Sequence, residues 1–328
     1  MAMKVGINGF GRIGRYLTRL LADVKDVELV AINARAENKD LAHLLKYDSV
    51  HGRFLRVEPN DKGMLIDGRQ VLVTRSAPGE WTWKELGVEL VIETTGKLTK
   101  REDLAKHLAC GAKKVILSAP GKEMDATIVM GVNDADLKPE HTIVSNASCT
   151  TNCLAPAAKA LNDAFGIKHG LMTTIHSYTM DQRLHDGSHK DIRRARAAAM
   201  NMVPTTTGAA KAVSLVIPAL KGKLDGFAIR VPTPDVSIVD LTCEVEKPAT
   251  KEAVNAALKA AANENFGYTE EPLVSVDFVG STFGGVADAA LTSVMDGSMV
   301  KLIVWYDNEA GFTHQLVRLI KKVASLTN

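Results

Sequence analysis

Short apolar runs and helical repeats follow one another along the first half of the chain. The runs at Met3–Asn8 and Val27–Asn33 are too short for helices and predict buried strands. Between them, Ile13, Leu17 and Leu21 share one helical face. The alternation continues with strands predicted at 54–59, 64–67, 70–75, 88–94, 113–117, 126–131 and 142–145, and with a helix predicted at 99–111 that a Thr99–Glu102 capping box would open. Strands that alternate with helices predict a mostly parallel sheet.

The second half of the chain has strands that follow one another more closely. Strands are predicted at 167–178, 227–231, 236–245, 273–278, 290–294 and 299–306, and helices at 204–216, 251–263 and 312–323. Strands grouped in this way, with helices beside them, predict an α+β domain with a mixed or antiparallel sheet.

A G-x-G-x-x-G sequence lies between the first predicted strand and the first predicted helix. Gly9 permits a tight turn, Gly11 lets a ligand approach the backbone, and Gly14 allows the helix to pack close to the strand. The free N–H groups of the helix N-terminus then suit a pyrophosphate. In this strand–turn–helix–strand context, the motif predicts a dinucleotide site.

The end of the second strand departs from the pattern that is usual for NAD. An acidic residue about 20 positions after the glycines normally binds the ribose hydroxyls. This position is Asn33, and Arg35 follows two residues later. Because a carboxylate is missing and a guanidinium is near, we expect the site to accept the 2′-phosphate of NADP. The alternative is that Asn33 binds an unmodified ribose and that Arg35 is a solvated surface charge.

Candidate chemistry lies in the segment 145–156, where a strand leads into a helix. Cys149 occupies the predicted helix N-terminus, where free N–H groups and the helix dipole favour a thiolate, so we expect a lowered pKa for this thiol. The hydroxyls of Ser148 and Thr150 flank it and can donate to an anion. Cys153 is one turn further into the helix and is expected to be a buried, unreactive residue.

Composition narrows the class of protein. The chain has 328 residues, of which 46% are hydrophobic and 24% charged, and its net charge is +2. This is typical of a two-domain globular protein and gives no reason to expect a nucleic-acid or membrane partner. The four cysteines match no zinc spacing, so no metal site is expected. The absence of a signal-peptide pattern and the scarcity of cysteine predict a cytoplasmic protein.

Seven blocks in this order resemble phosphorylating glyceraldehyde-3-phosphate dehydrogenases over essentially the whole chain. The blocks are 8–14, 145–156, 176–179, 189–196, 204–208, 230–234 and 305–309. The resemblance implies a Rossmann-type, mostly parallel domain formed by 1–148 and 309–328, and an α+β catalytic domain formed by 149–308. It also implies that D-glyceraldehyde 3-phosphate is oxidised to 1,3-bisphosphoglycerate with NAD(P) and inorganic phosphate.

The resemblance also implies residue roles. Cys149 would attack the aldehyde, and His176 would pair with the thiolate and act as the base. The substrate C3 phosphate would be bound by Thr179 and Arg230, and inorganic phosphate by Ser148, Thr150, Arg194, Thr207 and Gly208. The cofactor would be bound by Asn8, Gly9, Gly11, Arg12, Ile13, Asn33, Arg35, Arg75, Thr95, Gly96, Ser118, Ser188 and Asn308. Where NAD-specific relatives carry Leu-Pro, Gly187-Ser188 is small and hydroxylated, which again favours NADP.

Two other functions are compatible with the same residues. An erythrose-4-phosphate dehydrogenase would apply the same thiol chemistry to a longer sugar, and an idle binding protein would keep the fold without turnover. The intact Cys149, His176 and phosphate-binding set favours the triose-phosphate enzyme over both. The resemblance further implies a homotetramer, for which the long basic segment 179–199 is the candidate interface element.

Overall fold

The structure is a computed structural model, and it describes residues 2–327. Its α-helices are α1 (Arg12–Leu21), α2 (Asn38–Lys46), α3 (Arg101–Ala109), α4 (Cys149–Phe165), α5 (Ala209–Val216), α6 (Lys251–Ala261) and α7 (Ala310–Thr327). Its strands up to α4 are β1 (Met3–Asn8), β2 (Val27–Asn33), β3 (Tyr47–Asp48), β4 (Gly52–Arg53), β5 (Val57–Asn60), β6 (Gly63–Ile66), β7 (Arg69–Thr74), β8 (Leu90–Glu93), β9 (Lys114–Leu117), β10 (Ala126–Thr127) and β11 (Ile143–Ser145). The later strands are β12 (Ile167–Ser177), β13 (Val203–Thr206), β14 (Leu224–Val231), β15 (Ser237–Val245), β16 (Phe266–Thr269), β17 (Gly285–Asp288), β18 (Ser293–Met295) and β19 (Met299–Tyr306).

The chain forms two compact units. One contains the chain up to Ile128, Asp134–Ala147 and the end of the chain from Leu316. The other contains Val129–Asn133 and Ser148–Gln315. The boundary at Ala147 and Ser148 comes directly before α4, so the residue that begins this helix belongs to the second unit.

The first unit has a nine-stranded sheet in the order β10-β11-β9-β8-β1-β2-β7-β6-β5. All neighbours from β10 to β7 are parallel, and only β7-β6 and β6-β5 are antiparallel. The central strands are almost continuously apolar, with Val5, Ile7, Leu90, Val91 and Ile92 completely buried. Such runs are typical of a parallel sheet that is covered on both faces. The mostly parallel sheet expected from the sequence is confirmed.

The second unit has a mixed sheet in the order β13-β14-β12-β15-β19-β17-β16, and β18 pairs with β19. β12 is parallel to β14 and β16 to β17, whereas the other pairs are antiparallel. β15 alternates buried and half-buried residues along its whole length, which is the pattern of a sheet with one covered face. The α+β class and the mixed sheet are confirmed.

Three local predictions are wrong. The Thr99 capping box does not form: α3 begins at Arg101 because the backbone at Lys100 is extended and bridges to Lys122. Pro204 does not open a helix. It lies in β13, an edge strand, where a residue without an N–H is tolerated.

The third error is the strand expected at 273–278. This segment ends in a 3-10 turn, Ser275–Phe278, that buries Phe278 and exposes Val276. A short apolar run does not distinguish the two conformations. Among residues 2–327, no helix has the length and apolar character that would let it cross a membrane.

Candidate active site

Four strand ends in the first unit surround a cavity of about 600 Å³. They are the carboxyl ends of β1, β2, β7 and β8, the edge at which parallel sheets bind ligands. The predicted cofactor residues that line the cavity are Asn8, Gly9, Gly11, Asn33, Arg35, Arg75 and Thr95. The predicted residues of this unit outside its lining are Arg12, Ile13, Gly96 and Ser118. Arg12 instead pairs with Asp48.

The glycine turn has the geometry that the motif predicts. Gly9 has a φ of +100°, and a Cβ there would meet the Thr95 backbone nitrogen at 2.8 Å. A Cβ on Gly14 would lie 2.5 Å from the Gly9 carbonyl oxygen, so the close packing of α1 requires glycine. A Cβ on Gly11 would meet no atom within 4 Å. The backbone at Gly11 therefore faces open space that a ligand could enter.

Asn33 uses both ends of its side-chain amide within the protein. Its Nδ2 donates to Asn8 Oδ1 at 2.9 Å and to the Ser76 carbonyl at 3.1 Å. Its Oδ1 accepts from Thr74 Oγ1 and from the Ser76 backbone N–H, both at 2.9 Å. The amide is thus saturated, and a ribose hydroxyl could bond to it only by displacing one of these partners. Asn33 therefore contributes an uncharged side chain of fixed orientation to the cavity wall.

A buried carboxylate fixes the side chain of Asn8 through a hydrogen bond. Glu93 is fully buried and accepts from Asn8 Nδ2 at 2.5 Å and from the Thr95 backbone N–H at 2.8 Å. Trp83 Nε1 donates to His107 Nδ1 at 3.0 Å, so the His107 proton is on Nε2, which donates to Glu93 at 3.2 Å. These directed bonds fix the amide of Asn8 at the cavity wall. The sequence signal for Glu93 was an acid that ends an apolar strand.

The two arginines that line the cavity differ in their hydrogen bonding. Arg75 donates to the Ala36 carbonyl at 2.7 Å and to Asn38 Oδ1 at 2.9 Å, so its guanidinium is held by the protein. Arg35 is exposed and has no hydrogen-bond or ion-pair partner within residues 2–327. An unpaired guanidinium on a cavity wall is suited to an anionic ligand group.

Cys149 is the first residue of α4. Ser148 is the N-cap residue, and its hydroxyl accepts from the Thr151 backbone N–H at 3.0 Å. The cap explains why the helix begins here, because it satisfies one of the free N–H groups. The Cys149 sulfur lies 3.5 Å from His176 Nε2, so the two predicted catalytic residues are brought together. Cys153 is buried one turn later.

Strand register places Arg230 beside His176. The two residues are direct partners in the parallel pair β12-β14. Arg230 Nη1 lies 2.7 Å from His176 Nδ1 and donates to the Ser177 carbonyl at 3.0 Å. The guanidinium predicted to bind the substrate phosphate is therefore in contact with the predicted base.

The charge state of this cluster corrects one expectation. Burial raises the pKa of the Cys149 thiol, and the opposing effects of Arg230 and of the hydrogen bonds at the helix start are smaller. Burial, followed by the charge of Arg230, lowers the pKa of His176 to about 3. The prediction of a lowered pKa for Cys149 is wrong for the free protein, because desolvation outweighs the helix N-terminus. Burial thus favours the uncharged form of each group in the free protein.

The Thr150 hydroxyl lies in a buried chain of hydroxyl groups. Thr174 Oγ1 donates to the Ile238 carbonyl at 3.1 Å and lies 2.8 Å from the Tyr306 hydroxyl, which lies 2.9 Å from Thr150 Oγ1. Because Thr174 has one hydroxyl proton, Tyr306 donates to Thr174 and Thr150 donates to Tyr306. In this arrangement the proton of Thr150 is directed at Tyr306, and its role toward an anion stays a prediction.

Arg194 is the second arginine predicted to bind phosphate. It pairs with Asp181, donates to Thr205 Oγ1 at 2.9 Å, and donates to the Thr206 carbonyl at 3.2 Å. The last of these bonds lies next to Thr207 and Gly208, where α5 begins. An anion at Arg194 would compete with the Asp181 carboxylate, a feature that the sequence analysis missed.

The remaining predicted residues lie in the second unit. The Thr179 N–H donates to Gln182 Oε1 at 3.3 Å, and the Ser188 carbonyl accepts from Arg183 at 2.9 Å. Asn308 is buried, and its Oδ1 accepts from the Ser237 hydroxyl at 2.7 Å. This bond fixes the orientation of the Asn308 amide.

Comparison with known proteins decides the family. A model described as the NAD binding domain of glyceraldehyde 3-phosphate dehydrogenase matches residues 3–101, and a model of its C-terminal domain matches residues 148–308. The chain is 57% identical to the glyceraldehyde-3-phosphate dehydrogenase of Geobacillus stearothermophilus, with 99% of each chain covered. The chain belongs to the glyceraldehyde 3-phosphate dehydrogenase family.

Other members are similar over their full lengths. Glyceraldehyde-3-phosphate dehydrogenase 1 of Bacillus subtilis (strain 168) is 56% identical, with 99% of each chain covered. The enzyme of Clostridium pasteurianum is 51% identical over 98% of this chain and 99% of its own. The family resemblance found in the sequence is confirmed, and membership identifies the protein as an NAD(P)-dependent oxidoreductase.

The cavity of the first unit fits the nicotinamide dinucleotide that this family uses. The open backbone at Gly11, the N-terminus of α1 behind it and the fixed amide of Asn8 suit a pyrophosphate and ribose. Two residues that contact the predicted site residues of the second unit were not predicted from the sequence. They are Tyr306, which is hydrogen-bonded to Thr150, and Asp181, which pairs with Arg194. Both follow from register and loop conformation, which no local pattern reveals.

Proposed function

We propose that the protein is a phosphorylating dehydrogenase that oxidises D-glyceraldehyde 3-phosphate to 1,3-bisphosphoglycerate with NAD(P) and inorganic phosphate. The observation that supports this most strongly is the contact of Cys149 Sγ with His176 Nε2 at 3.5 Å, at a helix N-terminus and beside Arg230. A thiol nucleophile, a base and an anion-binding guanidinium are the groups that acyl transfer from a phosphorylated aldehyde requires.

Cys149 and His176 would act as a nucleophile and base. As Sγ forms a bond to the aldehyde carbon, its proton passes to His176 Nε2, and the carbonyl oxygen becomes an oxyanion that the Cys149 backbone N–H can stabilise. His176 Nε2 lies 3.5 Å from Sγ, so the lone pair of this nitrogen is placed to accept the proton. His176 then returns this proton to the oxyanion, which gives the thiohemiacetal that is oxidised and leaves the ring free to act as a base.

A nicotinamide cofactor, when bound, would supply the hydride acceptor for that carbon. His176 takes the thiohemiacetal hydroxyl proton, which leaves a thioester on Cys149. Asn308 would hold the carboxamide of the nicotinamide through its fixed amide. Inorganic phosphate then attacks the thioester carbon, the carbon–sulfur bond breaks, and Cys149 is restored.

Two anion sites are required by this sequence of steps. Arg230 and Thr179 would bind the C3 phosphate of the substrate, and Arg194, Thr207 and Gly208 would bind inorganic phosphate. Ser148 and Thr150 contribute by shaping the helix start, since their hydroxyls already have partners in the protein. Forked guanidinium groups and N–H groups at a helix start suit phosphate.

We further propose that the protein accepts NADP. The argument depends on the missing charge at position 33 and on Arg35, because the Asn33 amide is saturated by protein partners. A neutral position removes the repulsion that a carboxylate would exert on a 2′-phosphate, and the unpaired Arg35 supplies a counter-charge. Ser188, a small hydroxylated residue, is consistent with the same preference.

A homotetramer and a cytoplasmic location remain predictions. The tetramer is supported by apolar side chains exposed in and after the basic segment: Met180, Leu184, Ile192, Met200 and Met202 are 75–87% exposed. Apolar surface of this kind marks interfaces. Light scattering at micromolar concentration tests it, and a monomer of 35.3 kDa would contradict it.

Initial rates with NAD and NADP, each with and without inorganic phosphate, test the proposed function. We expect sustained cofactor reduction only with phosphate present. Erythrose 4-phosphate serves as the competing substrate, and a higher kcat/KM for it would assign the sister activity. No reduction with either aldehyde would favour an idle binding protein.

A further inference from the structure

A completely buried histidine contacts the wall of the dinucleotide cavity without lining the cavity itself. His107 belongs to α3, and one face of its ring stacks on Trp81, with the ring centroids 3.8 Å apart. Trp81 is one of the residues that line the cavity. The edge of the His107 ring reaches Glu93, the carboxylate that binds the cavity-lining residues Asn8 and Thr95. His107 is therefore connected to the cavity wall by two separate contacts.

Trp83 determines which nitrogen of His107 carries the proton. An indole N–H only donates, and Trp83 Nε1 lies 3.0 Å from His107 Nδ1, so Nδ1 is an acceptor and carries no proton. The ring proton is then on Nε2, which lies 3.2 Å from Glu93 Oε2. Because all three side chains are completely buried, these bonds form in surroundings of low dielectric constant, where hydrogen bonds are strong.

Glu93 receives four hydrogen bonds, which is the full capacity of a carboxylate. Oε1 accepts from the Thr95 backbone N–H at 2.8 Å and from the Thr95 hydroxyl. Oε2 accepts from Asn8 Nδ2 at 2.5 Å and from His107 Nε2. Of the three residues that donate, Asn8 and Thr95 line the cavity, whereas His107 holds the carboxylate from within the protein.

The orientation of two amides in the cavity wall follows from this carboxylate. Asn8 directs its Nδ2 at Glu93, and its Oδ1 accepts from Asn33 Nδ2 at 2.9 Å. A reversed Asn8 amide would place its oxygen against the carboxylate and its NH₂ group against that of Asn33, and both contacts are repulsive. Hydrogen bonds thus converge on the Glu93 carboxylate from both sides, and every polar group between Trp83 and Asn33 has a determined orientation.

We propose that His107 is a positioning residue of the dinucleotide site. Through Glu93, it holds the wall residues Asn8 and Thr95 in the arrangement that binds a nicotinamide dinucleotide. Without the Nε2 donor, Glu93 keeps three of its four partners and can rotate, and the residues bound to it move with it. The wall must then be ordered again when a cofactor binds, which lowers affinity. Since the charges of the wall are unchanged, NAD and NADP should lose affinity by the same factor.

Calorimetry with NAD or NADP, in the absence of aldehyde, measures this effect in the whole protein. His107→Asn keeps an acceptor near Nδ1 for Trp83 but removes the donor to Glu93, whereas His107→Gln can place its amide nitrogen near Nε2 and donate. We expect His107→Asn to raise both dissociation constants by about tenfold, the range of one hydrogen bond to a charged group, and His107→Gln to retain most of the affinity. His141→Asn, at a half-buried histidine of the same unit, is the control and should bind like the wild type.

Steady-state kinetics distinguishes a positioning residue from a general weakening of the fold. His107→Asn should raise KM for either cofactor and leave kcat and KM for the aldehyde nearly unchanged, because Cys149, His176 and Arg230 belong to the other unit. The expected effect also differs from that of Arg35→Ala, which is confined to NADP.

Equal affinities in His107→Asn and His107→Gln, whether both are weak or both match the wild type, would overturn the inference. A lower kcat in His107→Asn with unchanged dissociation constants would do the same. The calorimetric results do not depend on turnover, so a failure of the proposed function would be seen separately, in the rate assays with phosphate.

Trp83→Phe replaces His107→Asn if the latter does not fold. This variant keeps an aromatic ring and removes the N–H that fixes the tautomer of His107. Weaker binding of both cofactors would support the inference, and binding like that of the wild type would overturn it. Failure of both variants to fold would also overturn it, since these hydrogen bonds would then serve stability alone.

Discussion

The dinucleotide cavity and the catalytic cluster differ in how their polar side chains are hydrogen-bonded. In the first, Asn8, Asn33 and Glu93 have directed hydrogen bonds to other protein groups. In the second, the buried Nε of Arg230 has no hydrogen-bond partner among residues 2–327, and burial shifts the pKa of Cys149 upward. A binding cleft benefits from groups that are fixed before the ligand arrives. A catalytic cluster requires groups whose protons move, so some of its bonds are left incomplete.

The largest expected effect comes from removing the nucleophile. Cys149→Ser should lower kcat by about 10⁴-fold or more, because no other group of this cluster can form the thioester. Cys153→Ser is the matched control, since its sulfur is buried and donates to the Val304 carbonyl at 3.6 Å, and it should retain most activity. Equal losses in the two variants would remove the distinction between them.

The base has the next largest effect. His176→Asn should reduce kcat by about 10²- to 10⁴-fold, the usual contribution of a positioned base, and should leave a measurable rate. Steady-state kinetics measures the loss, and a wild-type rate in this variant would show that His176 is not the base.

The pH dependence of alkylation tests whether Cys149 and His176 are uncharged in the free protein. Because burial raises the Cys149 pKa and lowers that of His176 to about 3, iodoacetamide labelling of the wild type should increase toward alkaline pH. It should have no inflection from His176 between about pH 5 and 8, where an ordinary histidine titrates. A thiolate plateau at acidic pH would show that the free enzyme contains an ion pair instead.

The two arginines of the second unit should have separable effects. Arg230→Ala is expected to raise KM for the aldehyde by about a hundredfold, while Arg194→Ala should slow the phosphate-dependent step, because each guanidinium serves a different anion. Steady-state kinetics with both substrates varied measures the two constants. The same defect in both variants would mean that one shared anion site exists.

Glu93→Gln tests the fixed network of the first unit. The new amide N–H would face the N–H groups of Asn8 or Thr95, so we expect a loss of about 2 kcal/mol in the free energy of unfolding. Denaturant titration measures it, with the exposed Glu85→Gln as the control, which should change stability little. If Glu93→Gln were as stable as the wild type, the hydrogen bonds of Glu93 would not be what fixes the side chains of the dinucleotide cavity.

The smallest effect on activity is expected from substitutions of Arg35 and Asn33 in the wall of the dinucleotide cavity. Arg35→Ala should reduce kcat/KM for NADP by about tenfold and leave that for NAD nearly unchanged, because only NADP has a 2′-phosphate. Asn33→Asp should act in the same direction by adding a repelling charge. A wild type that strongly favours NAD, together with no effect of Arg35→Ala, would disprove NADP use.

The sequence predicted more of the fold than of the site. Strand periodicity and the glycine motif are local, so β1, α1, β2 and the mixed second sheet could be inferred. The Pro204 segment was misassigned because its strand exists only through pairing with β14. Likewise, α2 and the short buried strands β16 and β17 were missed, since they have weak local signals.

Within the site, the roles of the residues could be predicted from the sequence, but their pKa shifts could not. The helix start at Cys149 follows from a local pattern, and the family blocks identified His176 and Arg230. The contact between these two depends on register across β12 and β14, and the two residues are 54 positions apart in the sequence. Burial, which reverses the expected pKa of Cys149, is a property of the folded structure alone.

A single-turnover experiment tests the central claim most directly. The protein is mixed with oxidised cofactor and glyceraldehyde 3-phosphate in the absence of inorganic phosphate, and reduced cofactor and the mass of the Cys149 peptide are followed. We expect a burst of about one reduced cofactor per chain, an acyl group on Cys149, and steady turnover once phosphate is added. Steady turnover without phosphate, or a burst with Cys149 unmodified, would contradict it.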